Sequence, residues 1–125
     1  MRKTTITLCV VLLSIPAVAE TVSKQAWGTQ MEAALAASFC QSDAYYRQCF
    51  SISASQCKET ASSVTKACLA KSGADIPDPL QQPADGTRWG NIVGRCAGNA
   101  FEAAQAQAKQ QNSRCQDAKN WLPSK

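Results

Sequence analysis

Residues 23–40 read SKQAWGTQMEAALAASFC, and this stretch decides the fold class. Four large apolar side chains recur in it at every fourth position: Trp27, Met31, Leu35 and Phe39. This spacing places them on one face of a helix, and the alanines between them have high helix propensity. The stretch therefore predicts an amphipathic helix whose apolar side must be covered by the rest of the chain.

Two further helices are predicted immediately after it. Residues 42–50 begin with Ser42 and Asp43, which suit an N-cap, and continue as a short segment with two tyrosines, a cysteine and a phenylalanine. Ser53 and Gln56 have the spacing of a capping box, and a helix to about residue 71 is expected after them. Its apolar positions recur with helical spacing at Cys57, Ala61, Val64 and Cys68.

The second half of the chain begins with a break. Residues 72–87 hold three prolines and two glycines, so we expect one long loop there, with neither helix nor central strand. From Thr87 to about Asn112 a fourth helix is predicted, with an apolar side formed by Trp89, Val93, Cys96, Ala100 and Ala103. The pattern predicts an all-α fold, a small bundle of about four helices in one domain over residues 20–125.

The N-terminus has the three parts of a cleavable signal peptide. A basic start, Met1-Arg2-Lys3, precedes an apolar run over residues 6–18, and Ala17-Val18-Ala19 fits the small-x-small rule for cleavage. We expect residues 1–19 to be removed, together with Cys9. The apolar run is shorter than the roughly 20 residues that a membrane-spanning helix needs, so no membrane span is expected. The mature protein is predicted to be periplasmic or secreted.

The six cysteines that remain predict three disulfides: Cys40, Cys49, Cys57, Cys68, Cys96 and Cys115. The competing interpretation, a metal site, lacks both histidine and a Cys-x-x-Cys pair, so we expect no metal. Cys57 and Cys68 point the same way on one helix but stand about 16 Å apart along it, and they cannot bond each other. We prefer Cys68 with Cys96 across the proline loop. Cys115 would then pair with Cys57 or Cys49, and Cys40 with the other.

Charge and composition exclude several functions. Arg2 and Lys3 leave with the signal, so 11 basic residues face 9 acidic ones and the net charge falls from +4 to about +2. The charges are scattered, which gives no basis for nucleic-acid binding. Without histidine there is no Ser-His or Cys-His nucleophile. We expect no catalytic residues and no cofactor.

Gly90, Gly94 and Gly98 stand four residues apart inside the fourth predicted helix. Each glycine costs about 1 kcal/mol of helix stability relative to alanine, so something should offset that cost. A glycine row lets another backbone approach closely. We expect the alanine side of the first helix to pack there. In the alternative interpretation, the row forms a groove that receives a loop of a partner protein.

Two other groups of residues are candidate sites. Tyr45, Tyr46 and Arg47 are residue types that often anchor interfaces, and at least one of the tyrosines should lie near the surface. Packing of a tyrosine over a disulfide is the preferred interpretation, and a partner site is the alternative. Three carboxylates cluster on the proline loop at Asp75, Asp78 and Asp85, but their spacing matches no calcium loop, so a solvated loop face is expected.

The function predicted from these features is binding of another protein without catalysis. The preferred form is an inhibitor or immunity protein against an envelope-targeting enzyme or toxin, because a disulfide-stapled scaffold lowers the ordering cost of binding. One alternative is an accessory subunit of an envelope secretion or conjugation apparatus. Another is a carboxylate-based hydrolase, which requires two acidic side chains in one pocket. A small-molecule carrier would need a cavity, whereas the alanine-rich helices favour close packing.

Overall fold

Four α-helices make up most of the described chain. The computed structural model describes residues 20–121, and its helices are α1 (Lys24–Phe39), α2 (Tyr45–Gln48), α3 (Ala54–Ser72) and α4 (Ala84–Ala104). Short 3-10 helices follow at Ala106–Ala108 and Ala118–Trp121. The predicted all-α, disulfide-stapled bundle is confirmed. The predicted signal peptide and the tail from residue 122 lie outside the described residues.

α3 lies between α1 and α4 and makes the main helix contacts of the bundle. α1 and α3 both begin at a serine N-cap, and the one at α3 belongs to the predicted capping box. The Ser23 hydroxyl accepts a hydrogen bond from the backbone N–H of Ala26 at 3.2 Å. At the start of α3, the Ser53 hydroxyl accepts from the N–H of Gln56 at 3.1 Å, and the Gln56 side chain accepts from the N–H of Ser53 at 2.9 Å. This capping box satisfies two backbone donors that the helix would otherwise leave unpaired.

The prediction for the second helix was wrong in its extent. Ala44, not Ser42 or Asp43, is the N-cap of α2, and it makes no side-chain cap hydrogen bond. α2 ends at Gln48, so the following cysteine and phenylalanine lie outside it. The chain leaves the helix because Phe50 forms an antiparallel bridge with Lys109. The backbone N–H groups of Ser51 and Gln110 complete this pairing.

The same bridge explains why α4 is shorter at its C-terminal end than predicted. The Ala/Gln-rich sequence has helix propensity to about residue 112, but α4 ends at Ala104. A 3-10 turn then carries the chain back toward Phe50, and Lys109 is in extended conformation at the bridge. A long-range backbone pairing here prevails over local helix propensity.

The proline loop contains more regular structure than expected. A short strand β2 (Leu80–Gln81) pairs antiparallel with β1 (Thr21–Val22), and α4 begins at Ala84, three residues before the predicted start. Pro83 is the N-cap of α4, a position next to the helix start where a missing N–H costs little. The expectation of no helix in residues 72–87 was therefore wrong for residues 84–87, whereas β2 is an edge strand and not the central strand that was excluded.

The apolar interior consists of two clusters at the two ends of the bundle. One is centred on the fully buried Phe50 and Phe101, with Tyr45 and the Cys40, Cys49, Cys57 and Cys115 sulfurs around them. The other contains Trp27, Trp89, Leu80 and Val93. The deeply buried positions of α4 recur every four residues, at Trp89, Val93, Ala97 and Phe101. Ala97 and Phe101 were not among the core positions predicted from the sequence.

Three disulfides hold the bundle together, as the cysteine count predicted. Cys68 of α3 is bonded to Cys96 of α4, the pairing preferred from the sequence. Of the two alternatives for Cys115, the structure has the bond to Cys49, and Cys40 pairs with Cys57. The bonds therefore link the end of α1 to α3, α3 to α4, and the segment after α2 to the C-terminal region.

Candidate functional site

An open groove of about 390 Å³ runs along α4 over the glycine row. Its floor is formed by Gly90, Gly94 and Gly98, which lie one helical turn apart. Five side chains line it: Tyr46, Asn91, Arg95, Asn99 and Glu102. We call this set of eight residues the glycine groove. It combines a floor without side chains, an aromatic wall and groups that donate and accept hydrogen bonds.

The expectation that α1 covers the glycine row was wrong. In the described part of the chain, a β-carbon built on Gly94 would have no atom within 4 Å apart from the neighbouring backbone of its own helix. At Gly90 the nearest group is the Met31 sulfur, at 4.0 Å. The alanines of α1 at positions 33, 34 and 37 are exposed. The main contacts of α1 are instead with α3, so the middle of the glycine row faces open space.

Tyr46 forms the wall of the groove next to Gly98. Its ring stacks on Phe39, the last residue of α1, with the ring centroids 4.3 Å apart, and lies 4.5 Å from the ring of Phe101. The Tyr46 hydroxyl reaches the place where a Gly98 side chain would begin. Burial is the main cause that raises the pKa of Tyr46 to about 12, with smaller contributions from the charges of Glu102 and Tyr45. The phenol is therefore a neutral donor and acceptor at the groove edge.

Glu102 closes the C-terminal end of the groove and is held there by two partners. The Tyr45 hydroxyl donates a short hydrogen bond to its carboxylate, and the Lys109 ammonium pairs with it at 3.1 Å. Burial, followed by the hydrogen bond to Glu102, raises the pKa of Tyr45. The hydrogen bonds of Lys109 to Tyr45 and Glu102 raise the pKa of the ammonium. The carboxylate charge is thus largely compensated inside the protein.

Three exposed polar side chains form the solvent side of the groove: Asn91, Arg95 and Asn99. The sequence reasoning missed them. They recur with the same four-residue spacing as the glycines and are offset from them by one position, so they line the row along its whole length. This one-position offset from the glycines could have identified the three polar residues from the sequence. Arg95 belongs to neither of the two ion pairs of residues 20–121.

The structure divides the predicted tyrosine and arginine site. Tyr46 joins the three glycines at the groove, whereas Tyr45 is 9% exposed and packs edge-on against Phe50. Arg47 is half-buried and donates to the backbone carbonyl of Cys40 at 3.4 Å. Its Nε is buried and has no hydrogen-bond partner within residues 20–121. Of the three predicted residues, Tyr46 therefore lines the glycine groove, whereas Tyr45 and Arg47 do not.

The acidic side chains of the chain are not gathered in the groove. Asp78 accepts from the backbone N–H of Lys24 at 3.1 Å, and Asp85 accepts from that of Gln81 at 2.7 Å. Asp75 is exposed. Glu32 on α1 accepts from the Ser62 hydroxyl at 2.6 Å and pairs with Lys66 of α3 at 3.5 Å. One carboxylate, that of Glu102, lines the glycine groove.

Two kinds of site are absent from the described range of 20–121. That range places no group of three or more Cys, Asp or Glu side chains where they could hold a metal ion. It also contains no helix with the length and apolar character needed to cross a bilayer.

The chain matches a known protein family. A family model described as "T2SS substrate NttA", in which T2SS is the type II secretion system, matches residues 21–109. The matched range contains all four α-helices, the whole glycine groove and five of the six cysteines that form disulfides. Comparisons with curated proteins and with solved structures gave no match.

Proposed function

The chain belongs to the NttA family of type II secretion substrates, and on that basis we propose that it acts outside the producing cell by binding another protein, without catalysis. Membership makes the chain a secreted protein. Its three disulfides suit that route, because disulfides form and persist in the periplasm and outside the cell. The binding site we propose is the glycine groove.

The open space above Gly94 carries this proposal. A glycine inside a helix costs about 1 kcal/mol relative to alanine. At Gly98 the close approach of Tyr46 accounts for the glycine, but at Gly94 no group among residues 20–121 fills the space that a side chain would take. A backbone segment of a partner could approach the helix there more closely than at any position with a side chain. Asn91, Arg95 and Asn99 would then supply hydrogen bonds along its length.

An inhibitor of an extracellular or envelope enzyme is the form of binding we favour. A scaffold fixed by disulfides loses little conformational freedom when it binds, which favours tight association. A secretion substrate is the cargo of a secretion machine, and this weighs against the accessory-subunit alternative. The hydrolase alternative requires two carboxylates about 5–10 Å apart. The single carboxylate of the groove, already paired with Lys109, weighs against it.

Site-specific crosslinking tests the groove. A photoreactive amino acid replaces Asn91 in one variant and Ala67, an exposed residue of α3, in the matched control. We expect one partner protein to crosslink from position 91 and not from position 67. Gly94→Leu fills the groove at an open position, and it should abolish that crosslink while circular dichroism stays helical.

The partner, once purified, distinguishes the forms of binding. Gly94→Leu should weaken its equilibrium binding at least about tenfold, since the side chain occupies the space meant for the partner. Inhibition of an enzymatic activity of the partner by the wild-type protein would support the inhibitor form. Equal crosslinking from positions 91 and 67, or unchanged binding by Gly94→Leu, would contradict the proposed site.

A further inference from the structure

A second cavity, of about 350 Å³, lies at the end of the bundle where the C-terminal segment meets α1 and α2. Four aromatic side chains, two polar ones and one alanine line it: Phe39, Tyr45, Tyr46, Trp121, Ser38, Asp43 and Ala44. We call this set the aromatic pocket. Its volume is at the lower end of the range for sites that bind one small molecule, and such sites typically combine apolar walls with few polar groups.

Trp121 is fixed in position as one wall of the aromatic pocket. Its indole N–H donates to the backbone carbonyl of Arg114 at 3.0 Å, and the Arg114 guanidinium lies 3.8 Å from the ring centroid. The Tyr45 ring meets it edge-on at 5.9 Å. The N–H is therefore already used within the protein, and the indole offers a ligand its apolar ring. Trp121 lies beyond the range matched by the family model.

Two side chains give the aromatic pocket its polar character. The Asp43 carboxylate is exposed, and it is not part of either ion pair within residues 20–121. An ionised carboxylate only accepts hydrogen bonds, so it suits a ligand that donates them. The Ser38 hydroxyl can both donate and accept. A ligand with an apolar face and hydroxyl groups at its edge matches this combination.

The charges around the aromatic pocket decide between a neutral ligand and a cationic one. Aromatic rings with a carboxylate can attract organic cations such as alkylammonium groups. Here, however, two of the rings already have a protein cation next to them. The Arg114 guanidinium lies over Trp121, and the Lys109 ammonium lies 5.9 Å from the Tyr45 centroid. Arg114 belongs to neither ion pair of residues 20–121 and would repel a cationic ligand, whereas Lys109 is already paired with Glu102. A neutral ligand would meet no such repulsion.

We propose that the aromatic pocket binds a neutral sugar ring, either as a free saccharide or as the end of a glycan. The apolar C–H face of a pyranose would lie against Trp121 and Tyr45. Its hydroxyls would donate to the Asp43 carboxylate and exchange hydrogen bonds with Ser38. This site is separate from the partner-binding groove, although Tyr46 lines both cavities.

Titration of the disulfide-intact protein with simple sugars tests the proposal. The probes are N-acetylglucosamine and the methyl glycosides of glucose, mannose and galactose. Calorimetry and NMR measure their binding. We expect at least one to bind with a Kd of about 1 mM, the weak affinity of a small ligand with few contacts. Trp121→Ala and Asp43→Asn should each weaken that binding about tenfold or more. Asp75→Asn, which changes an exposed loop carboxylate, is the matched control and should leave it unchanged.

Further measurements separate the remaining outcomes. A glycan array distinguishes a free saccharide from the end of a glycan. If the protein binds a glycan of the array more tightly than every monosaccharide, the ligand is the end of a glycan. Tetramethylammonium is the cationic probe. Its binding in place of the sugars would overturn the choice of a neutral ligand. Failure of every sugar to bind at concentrations far above the expected Kd, or equal binding by the Trp121 and Asp43 variants, would overturn the site itself.

Discussion

The hydroxyl of Tyr46 occupies the space in which a side chain at Gly98 would begin: a β-carbon on Gly98 would lie 2.7 Å from the hydroxyl oxygen. The ring cannot easily move away, because it is held between Phe39 and Phe101. The next ring atom, Cζ, would be 3.9 Å from the same β-carbon, an ordinary contact distance. The conflict therefore depends on a single oxygen atom.

Gly98→Ala should consequently destabilise the protein by about 1–3 kcal/mol, the usual cost of overpacking. Tyr46→Phe removes the oxygen, so Gly98→Ala should cost much less in the Tyr46→Phe background. Chemical denaturation of the wild type, both single variants and the double variant gives the coupling energy. Additive effects of the two substitutions would show that the hydroxyl does not limit position 98.

Gly94→Ala should have the opposite effect, although the two glycines stand four residues apart on the same helix. Beyond its own helix backbone, the added methyl group meets no atom of the described residues within 4 Å, so the gain in helix propensity remains and should raise stability by up to about 1 kcal/mol. We expect Tm to rise by a few degrees in thermal unfolding measured by circular dichroism. A fall in Tm would mean that α1 covers the row, as the sequence suggested.

The three disulfides should contribute unequally. In the chain-entropy model the stabilisation grows with the length of the closed loop. Cys49 and Cys115 are separated by 66 residues and Cys40 and Cys57 by 17. Replacing Cys49 and Cys115 with alanine should cost about 4 kcal/mol, and replacing Cys40 and Cys57 about 3 kcal/mol. Urea denaturation of the two double variants measures the difference. The reverse order would indicate that native packing outweighs loop length.

Both tyrosines of the chain should make stability fall in alkali. Burial raises the pKa of Tyr46 from 10.0 to about 12, and the pKa of Tyr45 is raised as well. Between pH 10 and pH 12 the tyrosines of the unfolded chain lose phenol protons that the folded chain retains. The free energy of unfolding should therefore be unaffected by these groups below about pH 10 and decrease as pH rises toward 12.

The ultraviolet absorbance of phenolate reports both titrations directly. Glu102→Gln removes a charge that raises both values, so it should lower the midpoint of the absorbance change. Tyr46→Phe should remove the transition expected near pH 12 and lessen the alkaline loss of stability. Titration of both tyrosines near 10.0 in the folded protein would contradict the burial of Tyr46.

The sequence predicted the helices well where short-range interactions determine them. The four-residue repeat of α1 and the capping box at Ser53 act within a few residues, and both appear in the structure. The end of α4 could not be read in this way, because it depends on the bridge between Phe50 and Lys109. That contact joins positions far apart in the chain, and helix propensity alone favours continuing the helix past Ala104.

Only part of the glycine groove could be predicted from the sequence. The glycine row could be recognised, and its two possible environments follow from general packing rules. Which one applies depends on the direction in which α1 crosses the bundle, a tertiary property that the alanine pattern of α1 does not determine. The polar side at Asn91 and Arg95 has a regular spacing, but exposed polar residues are common on any helix.

The order in which the disulfides connect the chain has a consequence for survival among extracellular proteases. Cys40 is bonded to Cys57, Cys49 to Cys115, and Cys68 to Cys96. Any single cut of the backbone between residues 40 and 115 therefore leaves two fragments that are still joined by at least one sulfur bridge. A protease that nicks an exposed turn changes the mass by one water molecule but releases nothing, and the helices on either side stay together.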